Sequence, residues 1–104
     1  MTLTSSELNI LLALSDRDRH GLGIADHIED FTHGKVTMGP GTLYGGIKRL
    51  LERGLMADAS RTPIDSDDPR RRYYTITAAG RRALEGQARE LAHVVSVARA
   101  KRVL

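Results

Sequence analysis

The chain of 104 residues has no cysteine, no tryptophan and a single phenylalanine. Without cysteine there is neither a disulfide framework nor a thiolate metal site. No apolar run is long enough to cross a bilayer, and Met1 to Ile10 carry no signal-peptide pattern. These absences make a cytoplasmic location, with no membrane partner, the default expectation. Catalytic patterns are missing too. No nucleophile stands near a paired base, and no close carboxylate pair marks an evident pocket. The glycine-rich stretch Gly39 to Gly46 lacks the GxxxxGK[ST] spacing of a nucleotide-binding loop. An enzyme is not expected, and no cofactor is implied.

The length suits one small domain. Net charge is +3, but it is unevenly spread. Residues 1–69 hold 7 basic and 11 acidic side chains, whereas residues 70–104 hold 9 basic and 2 acidic ones. A basic segment of this kind suits an anionic partner, although a solvated arginine-rich helix would look the same by charge alone.

Residues Gly39 to Gly54 organise the chain. Pro40 suits the first turn of a helix. Leu43, Ile47, Leu50 and Leu51 recur at helical spacing, and Gly54 followed by Leu55 reads as a C-terminal cap. Thr42, Tyr44, Lys48, Arg49 and Glu52 occupy the other face. Gly41, Gly45 and Gly46 each cost about 1 kcal/mol of helix propensity relative to alanine, so something is expected to lie close to this backbone.

Around that helix the pattern predicts further elements. Thr4-Ser5-Ser6-Glu7 forms a capping box, with Leu3 and Leu8 as a hydrophobic staple, ahead of a helix to about Leu14 that buries Leu8, Ile10, Leu11 and Leu12. Ser15 to His20 reads as a charged turn. A second helix spans about Gly23 to Thr32, burying Ile24, Ala25, Ile28 and Phe31, and Gly34 ends it. Asp26, Glu29, Asp30 and His33 face outward. Asp26, Asp30 and His33 fit either an oxygen/nitrogen metal set or a solvated acidic face. Lys35 to Met38 could pair as a short strand. Leu55 to Arg61 and Arg72 to Ile76 read as a hairpin around the polar loop Thr62 to Pro69, with one or both of Tyr73 and Tyr74 in the core. Thr77 caps a last helix reaching about Arg102. Its Leu84, Ala88, Leu91, Val95 and Ala98 alternate in steps of four and three, a seam that suggests a second copy of the chain or, alternatively, packing across its own subunit.

Three helices, a two-stranded wing and a long final helix describe a winged helix-turn-helix: mainly α with a small β-hairpin, plus a C-terminal dimerisation helix. Residues 1–76 would form the DNA-binding unit and 77–104 the dimerisation helix. Such folds place the third helix in the major groove while the wing reaches the backbone or minor groove. The candidate contacts to double-stranded DNA are Thr42, Tyr44, Lys48 and, at the wing base, Arg70, Arg71 and Arg72. Tyr44 could instead be a core residue and Lys48 an ordinary solvated lysine. Asp65, Asp67 and Asp68 at the wing tip would be repelled by phosphate.

Pro40-Gly41-Thr42-Leu43-Tyr44, Ile47-Lys48-Arg49-Leu50, Gly54-Leu55, the Arg71 to Gly80 run and His20-Gly21-Leu22-Gly23-Ile24 together resemble the PadR-like transcriptional regulators, over nearly the whole chain. That resemblance implies a homodimeric repressor that binds a palindromic operator and belongs to the short branch of the family. Gly45 and Gly46 depart from the family's pattern, which usually has larger residues there. Some relatives hold flat hydrophobic drugs between tryptophans, and a chain without tryptophan does not support that mode, so any small-molecule effector is left open. The rival reading is a winged-helix adaptor that binds protein rather than DNA.

Overall fold

The computed structural model describes residues 2–59 and 72–104. In chain order these form α1 (Ser5–Leu14), β1 (Arg19–His20), α2 (Gly21–Phe31), α3 (Pro40–Glu52), β2 (Met56–Asp58), β3 (Tyr73–Ile76) and α4 (Ala78–Ala100). The expected loop Thr62 to Pro69 and its acidic tip lie outside the described residues.

Local chemistry sets the helix ends. The Glu7 amide donates to Thr4 Oγ1 at 3.1 Å, and the Thr4 amide donates to Glu7 Oε1 at 2.9 Å, completing the capping box. At the end of α3, Gly54 takes φ +71°. Its amide donates to the Leu51 carbonyl at 3.1 Å, and the Leu55 amide to the Leu50 carbonyl at 2.9 Å. This pair of bonds satisfies carbonyls that the helix leaves open, and Leu50 and Leu55 are both buried in the core below it.

The core joins Ile10, Leu11 and Leu14 of α1 to Ile24 and Ile28 of α2, Leu43, Ile47 and Leu50 of α3, and Met56, Tyr74 and Leu84 beyond. Leu8 is only half-buried, and Leu12 is exposed, contrary to the expected face; Ile10 takes the fully buried position. The reason is that α1 is covered from two sides, by the other helices and by α4, so its buried arc includes consecutive residues that a single stripe does not.

The sheet has the order β1-β3-β2, antiparallel throughout. Met56 pairs with Ile76 and Asp58 with Tyr74 across the hairpin. The third strand is Arg19–His20, within the expected charged turn, and it pairs with Tyr73 and Tyr74. Lys35 to Met38 forms no strand. It keeps the alternation of one, with Val36 and Met38 half-buried and Lys35 and Thr37 exposed, but no ladder partner is beside it. Helix α2 starts at Gly21, earlier than expected, because His20 caps it: its Nδ1 accepts from the Gly23 amide at 3.0 Å.

Helix α4 is anchored at both ends of its buried part. Thr77 donates its hydroxyl to the Gly54 carbonyl at 2.7 Å and its amide to the Leu55 carbonyl at 3.2 Å. Gly80 lies so close to the Leu55 carbonyl that a β-carbon there would overlap it. Two turns on, Gln87 pairs with the backbone of Leu3, its Oε1 accepting at 2.8 Å and its Nε2 donating at 2.9 Å. Beyond Gln87 only Ala98 is half-buried and the other residues are exposed. Among the described residues, no helix is long and apolar enough to cross a membrane.

Candidate nucleic-acid interface

Helix α3 is held on the body by a buried carboxylate. Glu7 of α1 is 2% exposed. Besides capping its own helix it accepts from Arg49 Nε at 3.0 Å and from Arg53 at 3.3 Å. Burial pushes its carboxyl up, but the Thr4 amide and the two guanidiniums outweigh that and hold it below the usual glutamate range. Neither Glu7 nor Arg49 stands out as an interface residue in the sequence, because a capping-box glutamate already has a sufficient local role.

Successive helical residues turn by about 100°. Gly41, Gly45, Lys48 and Glu52 therefore line the middle of the outward face of α3, with Thr42 and Tyr44 on opposite flanks. Thr42, Tyr44 and Lys48 are all exposed. Among the described residues Lys48 makes no ion pair. Gly39, the N-cap, supplies no side-chain cap bond, so the first turn keeps free N–H groups at its positive end. Glu52 closes the face at the other end with a negative charge, which leaves the N-terminal half as the part suited to phosphate.

Tyr44 is 41% exposed, and its phenol rests on α2. A β-carbon at Gly21 would come within 2.6 Å of the Tyr44 hydroxyl oxygen, so Gly21 is what lets the phenol approach this closely. Burial lifts the neighbouring Tyr74 hydroxyl above the usual tyrosine range, Asp58 and Tyr44 add to the effect, and Arg72 opposes it. Tyr44 thus stands where α3 meets the start of α2. Tyr74 is buried in the core, and Tyr73 is half-buried edge-on to His20, with ring centroids 5.4 Å apart.

The glycines divide by role. Gly46 is buried, and a β-carbon there would meet Ile10 Cδ1 at 2.7 Å, so the close approach it permits is to α1 and not to an outside partner. Gly41 has nothing within 4 Å of its missing β-carbon, and Gly45 has only the Arg49 guanidinium, at 3.5 Å. Those two leave the outward face bare.

At the wing base, Arg72 is exposed and paired to Asp58 at 3.2 Å. Arg70 and Arg71 lie outside the described residues. On α4, Leu84 is 7% exposed and closes the chain's own core. The exposed stripe starts at Ala88 and runs through Leu91, Val94 and Val95 to the half-buried Ala98. Asp26, Asp30 and His33 do not assemble; among the described residues no group of three His, Cys, Asp or Glu side chains could hold a metal ion.

The chain is 32% identical, over 90% of its length, to an uncharacterized 37.1 kDa protein in transposon TN4556 of Streptomyces fradiae, and it spans 25% of that relative. It is 31% identical over 85% of its length to protein X of Lysinibacillus sphaericus, covering 79% of it. Its fold is similar to that of a PadR family transcription regulator from hypervirulent Clostridium difficile, with a TM-score of 0.75, 21% identity and coverage of 93% of this chain and 97% of that one. The model of the transcriptional regulator PadR-like family matches residues 10–86, a span that contains α3 and all three strands and reaches into α4. The chain belongs to the PadR-like family of transcriptional regulators.

Proposed function

We propose that the chain is a sequence-specific repressor, not an enzyme, that acts in the cytoplasm and binds a palindromic operator as a homodimer. The observation that carries this reading is the outward face of α3. It combines exposed Thr42, Tyr44 and Lys48 with two bare glycines and an uncapped N-terminus, on a helix whose other side is locked into the core. Each α3 would enter one major groove, with half-sites about one helical turn or slightly more apart. Lys48 and the free N–H groups would meet phosphates, and Thr42 and Tyr44 phosphates or base edges. Arg70 and Arg71 would serve the wing base. Arg72, whose NH1 is paired to Asp58, would turn its other donors to a phosphate. Residues 1–76 and 77–104 would act as reader and dimerisation helix, the latter through Ala88, Leu91, Val95 and Ala98.

Selection of bound duplexes from a random-sequence pool tests this directly. The expected result is enrichment of a two-fold symmetric sequence by the wild-type chain. Tyr44→Ala and Lys48→Ala should weaken binding to it without altering the oligomeric state, and Lys48→Ala, which removes one phosphate contact from each protomer, should lower the salt-dependence slope of the dimer by about 2. Leu91→Asp should give monomers by light scattering. A chain that enriches no duplex would instead be an adaptor, and a Leu91→Asp dimer would place the interface elsewhere.

A further inference from the structure

Arg49 occupies an unusual position on α3. Its Nε donates to the buried carboxylate of Glu7 at 3.0 Å, which fixes the side chain while using one of five donors. Its NH1 and NH2 groups have no hydrogen-bond partner among the described residues, and the side chain is 51% exposed. The guanidinium lies back along the helix toward its N-terminus. NH1 is 3.5 Å from where a β-carbon of Gly45 would stand, and NH2 is 3.8 Å from that of Gly46. A long side chain at position 45 would compete for the same strip of surface. One carboxylate also faces two guanidiniums, Arg49 and Arg53, so the cluster keeps a net positive charge.

We propose that Arg49 is a DNA-reading residue whose NH1/NH2 fork, aimed by Glu7, grips a planar pair of acceptors on the duplex, either guanine O6 and N7 or two oxygens of one phosphate. The inference rests on the DNA-binding reading above. The planar fork matches both acceptor pairs with two parallel bonds from a side chain already fixed by Glu7, whereas a lysine ammonium meets them as a flexible point charge that must give up its own freedom to do so. It also gives Gly45 a role: glycine at that position keeps clear the strip along which the guanidinium lies.

The test uses the full chain and the duplex that the wild-type chain recovers from a random-sequence pool. Arg49→Lys keeps the charge facing Glu7. It should melt near the wild-type temperature yet bind that duplex about tenfold or more weakly. Repeating the selection with Arg49→Lys separates the two acceptors: loss of preference at one base pair assigns guanine, and the same sequence at reduced affinity assigns a phosphate. Gly45→Leu is a second, independent variant. It should weaken binding as Arg49→Lys does and add little on top of it. Wild-type affinity in both variants would overturn the proposal while leaving the DNA-binding reading intact. A wild-type chain that recovers no duplex would overturn both.

Discussion

The contact between Gly46 and Ile10 can be tested by exchanging one methyl group across the interface of α1 and α3. Ala at position 46 places its β-carbon 2.7 Å from Ile10 Cδ1. Ile10 is fully buried, so its Cδ1 can give way only by a shift of the side chain within the core. Overpacking of this kind costs about 1–3 kcal/mol, offset by about 1 kcal/mol of helix propensity. Gly46→Ala alone should therefore destabilise by up to about 2 kcal/mol. Ile10→Val removes the Cδ1 carbon and leaves a small void, at about 0.5–1.5 kcal/mol. In the double variant the new methyl occupies the space that the old one vacated. That protein should equal the wild type or exceed it by up to about 1 kcal/mol, with a coupling between the sites of at least about 1 kcal/mol. Urea unfolding at constant m-value reads all four corners of the cycle. Additive effects, within about 0.5 kcal/mol, would show that Gly46 is not there to let α3 approach α1.

Gly80→Ala should be far more costly, because its β-carbon meets the backbone carbonyl of Leu55 rather than the end of a side chain. A loss of about 3 kcal/mol or more is expected in the same unfolding assay, and a mild effect would mean that the start of α4 can shift. The carboxyl of Glu7 lies below its ordinary range in the folded chain, so its stabilisation is complete above the unfolded value of roughly 4.3 and is lost as pH falls through the folded value. Thermal melts between about pH 6 and pH 3 should fall more steeply for the wild type than for Glu7→Gln, and parallel curves would refute the clamp.

Much of this fold was legible because its signals are local. The capping box at Thr4, the cap at Gly54 and the N-cap at Thr77 each depend on neighbours within a few residues, and each sits where the pattern places it. What could not be read depends on distant partners. Arg19–His20 becomes a strand only because Tyr73 and Tyr74 pass alongside, and two residues are too few to leave a periodicity. Lys35 to Met38 has the periodicity and lacks the partner. At the candidate site, the exposure of Thr42, Tyr44 and Lys48 follows from helical spacing. The Glu7–Arg49 bond does not, since it spans 42 residues of sequence. Glycine was legible as an anomaly but not in its meaning: Gly46 serves α1, Gly21 serves Tyr44, and Gly41 and Gly45 stay open.

The joint between α3 and α4 has a consequence for how the dimer would measure DNA. The Thr77 bonds to Gly54 and Leu55, with Gly80 seated on the Leu55 carbonyl, leave no slack between the end of one helix and the start of the other. In the proposed dimer the two arms would then behave as a calliper. If α4 pairs with its counterpart as proposed, the angle at which those helices cross would set the gap between the two copies of α3. A substitution at Val94 or Ala98 that alters that crossing would change the preferred spacing between half-sites while leaving the bases recognised within each half-site as they were.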